Sequence, residues 1–304
     1  MQNLDGNYIP AGEKNLYMRI IGEGNPPVII EPGIGGLAIE WLPIVEEISK
    51  DTSVILYDRA GYAESPKGKM PRTTKQICFE LFDMLSNSGI FSPFIFVGNG
   101  YGGLVVQNFA RMFPRECAGI ILADSMSVKN EEIENLDVPT FQETASFASR
   151  IGCIRKLLEM KKEDFETLTT NILHNLYEHF PKTIAEMLFE YQTDKKLYET
   201  IIDEFDSLAE SIEIINSIPD FPNIPLTVMC RDFKVMIYLS SQLGIPENEA
   251  RAVEELWLAH NKSLTELSTL SNFQFISSSS QMIHLSRPDA IIQEIRNMLK
   301  SIKV

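Results

Sequence analysis

The segment VGNGYGG, residues 97–103, joins an apolar run to a stretch with helical spacing. A glycine-rich turn between two such stretches predicts a sharp strand-to-helix turn. Turns of the form G-x-S-x-G expose a nucleophilic serine at their tip. Gly98 and Gly102 stand at the flanking positions here, but the central residue is Gly100. The turn is therefore suited to nucleophilic chemistry and lacks the nucleophile.

Acyl transfer at such a turn needs a nucleophile, a base, a carboxylate that orients the base, and N–H donors for the developing oxyanion. Loss of the serine nucleophile costs on the order of 10^6 in turnover. We therefore expect no acyl-enzyme with Gly100 in place. The backbone favours glycine, because the turn strains a residue with a Cβ by roughly 1–3 kcal/mol.

Alternating β-type and helical runs predict the elements that position this turn. Through residue 125 and again from residue 218, short apolar runs alternate with helical stretches, which predicts an α/β fold with a mostly parallel sheet and helices on both faces. Loops 31–37, 58–65, 98–103 and 124–126 follow predicted strands and should converge at the carboxyl edge of the sheet. We expect a first core part at 1–127, a helical insertion at 128–217 and a second core part at 218–304.

The insertion is acidic and helical in pattern. Residues 129–217 contain 19 acidic and 9 basic side chains, a net charge of -10 out of -15 for the 304-residue chain. We interpret its charged positions as a solvated outer face. Its apolar residues should cover the site, namely Leu157, Phe165, Leu168, Leu173 and Leu176.

Composition excludes several functional classes. The charge of -15 disfavours nucleic acid and anionic membranes as partners, and no metal-ligand spacing or phosphate-loop lysine is present, so we expect no metal and no cofactor. The four cysteines lie far apart, which favours buried free thiols over disulfides or a metal site. The first residues lack the pattern of a signal peptide, and we expect a cytoplasmic location. Oligomeric state is left open.

Five motifs together resemble the α/β-hydrolase family over nearly the whole chain. IIEPGIGG (29–36) is similar to an oxyanion loop, VILYDRAGYAES (54–65) to the DRxGxGxS turn, and VGNGYGG to the nucleophile elbow. AGIILADS (118–125) resembles the next strand, and SSSSQMIHLSRPDAIIQEI (277–295) the loop and helix around a catalytic histidine. One departure is Ala63, where the family turn has glycine. The resemblance implies an eight-stranded sheet with a helical lid and hydrolysis of a small ester, amide or related bond.

The resemblance also implies roles for individual residues. His284 matches the base, and either Asp232 or Asp124 matches the acid, since the family order places acid and base after the nucleophile. The oxyanion donors would be the backbone N–H groups of Ile34 and Tyr101. Three further residues would belong to the site loops: Gly33, Gly35 and Asn99.

Three functions remain open at this stage. The first is hydrolysis of a small ester or amide by a Ser-His-Asp mechanism in a serine-containing form, disabled here by Gly100. The second is a pseudohydrolase that binds a small ligand or a protein partner in the old site. The third is serine-independent chemistry through a water activated by His284, or through proton transfer; Cys230 and Ser125 are weaker substitute nucleophiles. The apolar insertion residues favour a small, largely apolar ligand.

Overall fold

The computed structural model describes residues 5–173, 177 and 180–302. Its eight strands form one sheet in the order β1-β2-β4-β3-β5-β6-β7-β8. The strands are β1 (Asn7–Ala11), β2 (Lys14–Ile21), β3 (Val28–Glu31), β4 (Val54–Tyr57), β5 (Phe94–Asn99), β6 (Cys117–Ala123), β7 (Leu226–Cys230) and β8 (Ser271–Phe275).

The sheet is antiparallel at one edge and parallel elsewhere. Strand β2 pairs antiparallel with β1 and β4, and the remaining neighbours pair in parallel. The predicted fold class is therefore confirmed. The crossover connections bring the loops after β3, β5, β6 and β7 to one edge of the sheet, where ligand sites form in open parallel sheets.

Alternation along the strands divides the core between the two faces. Val28 and Ile30 of β3 pack in one apolar cluster, while Ile29 packs in the other. Successive side chains of a strand point to opposite faces, and a parallel sheet is covered on both. Both faces of β3 are consequently buried.

Helices cover both faces of the sheet and fill the long connections. Seven described helices lie between β6 and β7, and two lie between β7 and β8. The helices are α1 (Leu42–Ile48), α2 (Thr74–Asn87), α3 (Tyr101–Met112), α4 (Glu131–Glu134), α5 (Pro139–Thr144), α6 (Phe147–Glu159), α7 (Lys162–Leu173), α8 (Lys182–Gln192), α9 (Lys195–Asp206), α10 (Leu208–Ser217), α11 (Phe233–Gln242), α12 (Glu247–Ser263), α13 (Ile283–Ser286) and α14 (Pro288–Ile302).

Buried polar contacts attach the helical insertion to the loops of the sheet. Glu204 of α9 accepts hydrogen bonds from Arg59 at 3.1 Å and from the Tyr62 hydroxyl at 2.6 Å. Gln192 of α8 donates to the carbonyl of Gly35 at 3.0 Å. The insertion is thus bonded to the same loops that border the predicted site.

The backbone conformation of Ala63 explains why the family turn has a glycine at this position. Its φ of 37° lies in the left-handed region, which a residue with a Cβ rarely adopts. The carbonyl of Ala63 accepts a hydrogen bond of 2.6 Å from Lys196 of α9, so a contact from the insertion accompanies this conformation.

No helix in the described part of the chain is long and apolar enough to cross a membrane. All four cysteines are free thiols: Cys78, Cys117 and Cys230 are buried, and Cys153 is exposed. The thiols are free as predicted, but the prediction that all four are buried is wrong for Cys153, which lies on helix α6 of the insertion.

Candidate functional site

The turn at residues 97–103 has the geometry of a nucleophile elbow. Gly100 lies between β5 and α3 with φ 52° and ψ -120°. Its N–H donates to the carbonyl of Ala123, and its carbonyl accepts from the N–H of Met126 at 2.9 Å. The central residue is therefore held at the carboxyl edge of the sheet.

Three of the four glycines in the turn differ in what an added Cβ would meet. A Cβ at Gly98 would lie 2.7 Å from the Cα of Gly103, and a Cβ at Gly102 would lie 2.1 Å from the carbonyl oxygen of Glu31. Both positions are closed to any larger residue. A Cβ at Gly100 would meet only the Cα of Gly33, at 3.9 Å, among the described atoms outside its chain neighbours. Space admits a side chain at Gly100, and only the positive φ opposes it.

The predicted oxyanion donors border this space. Within the described residues, the backbone N–H groups of Ile34 and Tyr101 have no hydrogen-bond acceptor. Gly33 stands close to the turn, since a Cβ there would lie 4.0 Å from the nitrogen of Tyr101. Gly35 has φ 76° and donates its N–H to the Tyr62 hydroxyl at 3.1 Å. Binding of an oxyanion by Ile34 and Tyr101 stays a prediction.

Asn99 closes the turn against the loop after β8. Its side-chain amide donates to the carbonyl of Ala123 at 2.8 Å and to the carbonyl of Gln281 at 3.2 Å. Gln281 lines the same cavity as Gly100. Asn99 therefore positions loops and has its donors occupied.

His284 lies at the cavity with no hydrogen bond to its ring. It is buried, and neither Nδ1 nor Nε2 has a hydrogen-bond partner among the described residues. Its ring stacks on Trp41 at 4.3 Å between ring centres and 7° between planes. The nearest carboxylate is that of Glu40, with 3.8 Å between Oε2 and Nε2.

The carboxylate of Asp232 accepts hydrogen bonds from groups other than His284. It caps the N-terminus of α11, where one carboxylate oxygen accepts from the N–H of Lys234 at 2.9 Å and the other accepts from the N–H of Ser278 at 2.9 Å. These bonds use the carboxylate to hold two loops, because an N-cap oxygen satisfies a free donor of the helix.

Asp124 is the centre of a different buried network. Its carboxylate accepts from the indole N–H of Trp257 at 2.8 Å and from the guanidinium of Arg231 at 2.9 Å. Arg231 also forms two hydrogen bonds with Glu254, and these partners raise its pKa far above the usual value although burial lowers it. Asp124 thus neutralises a buried cation.

The structure does not bring either predicted acid to His284. Asp232 and Asp124 both lie after strands at the correct edge of the sheet, but local donors bond their oxygens and the His284 ring bonds to neither. Orientation of His284 by the carboxylate of Asp232 or Asp124 therefore stays a prediction, which the hydrogen bonds in this structure do not support. A base without an oriented tautomer lacks one part of the triad.

The substitute nucleophiles are also blocked. Burial, followed by the nearby charge of Asp124, raises the pKa of the Cys230 thiol well above its usual range, which removes the reactive thiolate. The Ser125 hydroxyl donates to the carbonyl of Met126 at 2.7 Å and accepts from Gln107. Neither residue offers an activated nucleophile.

A cavity of about 570 Å³ opens over the turn and includes Gly100, His284 and Asp124 in its wall. Aromatic residues of the insertion line it, namely Phe141, Phe147, Tyr177 and Phe205. The apolar residues predicted to cover the site do not: Leu157, Phe165 and Leu168 are absent from the wall, and Phe165 is buried inside the insertion. The side chain of Leu173 and all of Leu176 lie outside the described residues.

Sequence reasoning missed several residues of the cavity wall. Glu40 and Trp41 lie in the 3-10 turn after the oxyanion loop, and Arg150 lies in α6. No sequence motif marks Glu40, Trp41 or Arg150, because their place in the cavity wall depends on how the helices pack over the sheet. Arg231 directly precedes Asp232 at the end of β7, and a charged residue at a strand end is a sequence feature from which its place in the site could have been predicted.

Comparison with known proteins gives a family. A model described as alpha/beta hydrolase fold matches residues 26–210. A protein named AB hydrolase superfamily protein from Gibberella zeae is 22% identical over 98% of this chain and 95% of its own length. A putative carbamate hydrolase from Azorhizobium caulinodans is 27% identical, but the match spans only 38% of this chain and 43% of that relative.

A thermophilic esterase from Thermogutta terrifontis superposes on the protein with a TM-score of 0.65, covering 99% of this chain and 100% of the esterase at 17% identity. At this identity the likeness shows the fold alone. The matched family model covers more than half of the chain, and its range contains strands β3 to β6, the elbow and most of the helical insertion. The chain belongs to the alpha/beta hydrolase fold family.

Proposed function

We propose that this member of the family is a binding protein for a small, largely apolar molecule, which it holds in the cavity over Gly100 without forming an acyl-enzyme. The observation that carries the proposal is an elbow that keeps its geometry and its cavity but has no side chain at its tip. The segment 128–217 serves as the lid of this cavity in the proposal.

The surroundings of His284 support binding over hydrolysis. Installing a nucleophile would not complete a triad, because no carboxylate bonds to the ring in the described structure. Polar atoms without partners are costly when buried, and a ligand that bonds to them recovers that cost. The two ring nitrogens of His284 are such atoms and would bind a polar group of the ligand.

The wall of the cavity supports an apolar ligand. Ligand sites are typically concave, a few hundred Å³ in volume and lined by aromatic residues with a few polar groups. This cavity combines Phe141, Phe147 and Phe205 with a small number of charged side chains. A pseudohydrolase that binds a protein partner instead would leave the interior of the cavity unused.

A matched pair of measurements on wild type and Gly100→Ser tests the proposal with p-nitrophenyl butyrate. The two tryptophans of the chain, Trp41 and Trp257, both line the cavity, so their fluorescence reports its occupancy. We expect the ester to change the fluorescence of both proteins and to be hydrolysed by neither above the rate without protein. Rapid hydrolysis by the serine variant, lost again in Gly100→Ser with His284→Ala, would instead support a hydrolase disabled only at Gly100.

Proton transfer is the second candidate function. The observation that favours it is the 3.8 Å approach of His284 to Glu40, a base and an acid in the same wall. Glu40 also accepts from the Tyr177 hydroxyl at 2.8 Å. If wild type hydrolyses or isomerises a reactive enol ester and both His284→Ala and Glu40→Gln abolish the reaction, serine-independent chemistry replaces the binding proposal.

A further inference from the structure

Arg150 is a cation in the cavity wall without a partner. It lies in α6 of the insertion, and its guanidinium has neither a hydrogen bond nor an ion pair with any residue that the structure describes. On the same helix Arg155 faces outward and forms a two-pronged ion pair with Asp206 at 2.9 Å. Both arginines are exposed, but Arg155 has an ion-pair partner, whereas Arg150 lines the cavity and has none among the described residues.

The other charged side chains of the wall already have bonds. Asp124 and Glu254 share Arg231. Glu134 accepts from the backbone N–H of Phe147 at 3.1 Å, and Glu40 is bonded to Tyr177. Within the described part of the wall, Arg150 is therefore the charged group with bonding capacity left for a ligand.

The protein around Arg150 destabilises the charged form of its guanidinium. Although the residue as a whole is exposed, the protein around its guanidinium lowers its pKa, and the positive charge of Arg231 lowers it further, while Glu134 acts in the opposite direction. A guanidinium pairs with a carboxylate through two parallel hydrogen bonds. An anionic group placed here would offset both the burial and the repulsion from Arg231.

A second side chain of the cavity wall also has an atom without a partner. Asn130 is 2% exposed and lines the wall, and its Oδ1 has no hydrogen-bond partner among the described residues. A buried amide oxygen without a donor is rare in folded proteins. The described wall therefore contains two polar side chains with bonding capacity left, one cationic and one neutral.

We propose that the ligand is an apolar monocarboxylic acid whose carboxylate binds Arg150, with its apolar part among the aromatic side chains of the wall. This inference rests on the proposed binding function. A single carboxylate suits a single guanidinium, whereas a dianionic phosphate would bring its second charge close to Glu134, whose charge acts on Arg150. Arg150 thereby sets the ligand class.

Three probes with the same apolar part test the inference: 4-phenylbutanoate, 4-phenylbutanamide and 4-phenylbutylamine. Their binding is followed by tryptophan fluorescence in wild type, Arg150→Gln, Arg150→Lys and the matched control Arg155→Gln. We expect wild type to bind the carboxylate most tightly and the amine most weakly. Arg150→Gln should weaken carboxylate binding by about 10- to 100-fold, in line with the loss of a charge-assisted pair, and leave the affinity for the amide unchanged.

The variants separate recognition from folding. Arg150→Lys should restore part of the carboxylate affinity because it keeps the charge, and Arg155→Gln should match wild type. Equal binding of carboxylate and amide by wild type would overturn the role of Arg150 while leaving the binding function in place. An equal loss in the Arg150→Gln and Arg155→Gln variants would overturn it as well. If none of the probes changes the fluorescence, both this inference and the proposed function are overturned.

Discussion

Gly100 shows how one residue can favour stability at the cost of chemistry. Its φ of 52° lies where a Cβ is strained, while the surrounding space would admit one. We expect Gly100→Ser to lower the free energy of unfolding by roughly 1–3 kcal/mol. Urea denaturation of wild type and variant measures the difference.

Gly100→Ala is the control for this prediction. Alanine adds the same Cβ without a hydroxyl, so it should destabilise the protein about as much as serine. If both variants are as stable as wild type, the turn is not strained at its centre and the assignment of the elbow is wrong.

The thiols give a second prediction at the residue scale. Cys153 is exposed, while burial raises the pKa of Cys78, Cys117 and Cys230. Ellman's reagent should therefore titrate one thiol per native chain and all four in denaturant. Fast reaction of a second thiol in the native wild type, or of any thiol in native Cys153→Ser, would contradict the burial of Cys78, Cys117 and Cys230.

At the scale of elements, the strands that are buried on both faces of the sheet could be predicted from the sequence. Runs such as VIIE and VILY are apolar throughout, as parallel strands require. Strand β1, NYIPA, cannot be predicted in this way, because it is mostly exposed at the antiparallel edge and contains a proline. Helix α11 cannot be predicted from a buried face either, since none of its residues is buried.

The site was predicted to the extent that it depends on strand ends. The elbow, the glycine loop and both aspartates follow strands, and the structure places them at one edge. The partners of the aspartates could not be predicted, because Trp257 reaches Asp124 from α12 and Ser278 reaches Asp232 from the loop after β8. Such contacts depend on packing between elements far apart in sequence.

The attachment of the insertion supplies a prediction at the element scale. Glu204 of α9 is buried and bonded to Arg59 and Tyr62. Glu204→Gln removes the charge, and we expect a loss of about 2–4 kcal/mol because Arg59 keeps only one of its two buried carboxylates. Thermal and urea unfolding measure the loss.

The matched control for Glu204 is Glu213→Gln in α10, at an exposed position. It should change stability by less than about 0.5 kcal/mol. If the two variants behave alike, the contact of Glu204 with Arg59 does not hold the insertion to the loops of the sheet.

At the scale of the whole molecule, a buried carboxylate couples stability to pH. Burial outweighs the attraction of Arg19 and raises the pKa of Asp58 to about 6. Between the unfolded pKa of about 4 and this value, the folded state binds more protons than the unfolded state, so the contribution of Asp58 to stability falls as pH rises. From about pH 4 to about pH 7, wild type should lose about 2 kcal/mol relative to Asp58→Asn.

Denaturant titrations of both proteins at the two pH values measure this difference. Because the two proteins share all their other carboxylates, the contributions of those groups cancel in the comparison. Parallel pH profiles for wild type and Asp58→Asn would show that the pKa of Asp58 is the same in the folded and unfolded protein, which contradicts the rise caused by burial.

The central claim for the whole molecule is that the fold keeps an elbow and a cavity but has no activated nucleophile there, even when a serine is supplied. Intact mass spectrometry after incubation with a fluorophosphonate tests this claim most directly, because the reagent forms a stable bond only with an activated serine. The account predicts no adduct on wild type and none on folded Gly100→Ser. A stoichiometric adduct on position 100 of the serine variant would contradict it and show that His284 can still act as the base of a working hydrolase.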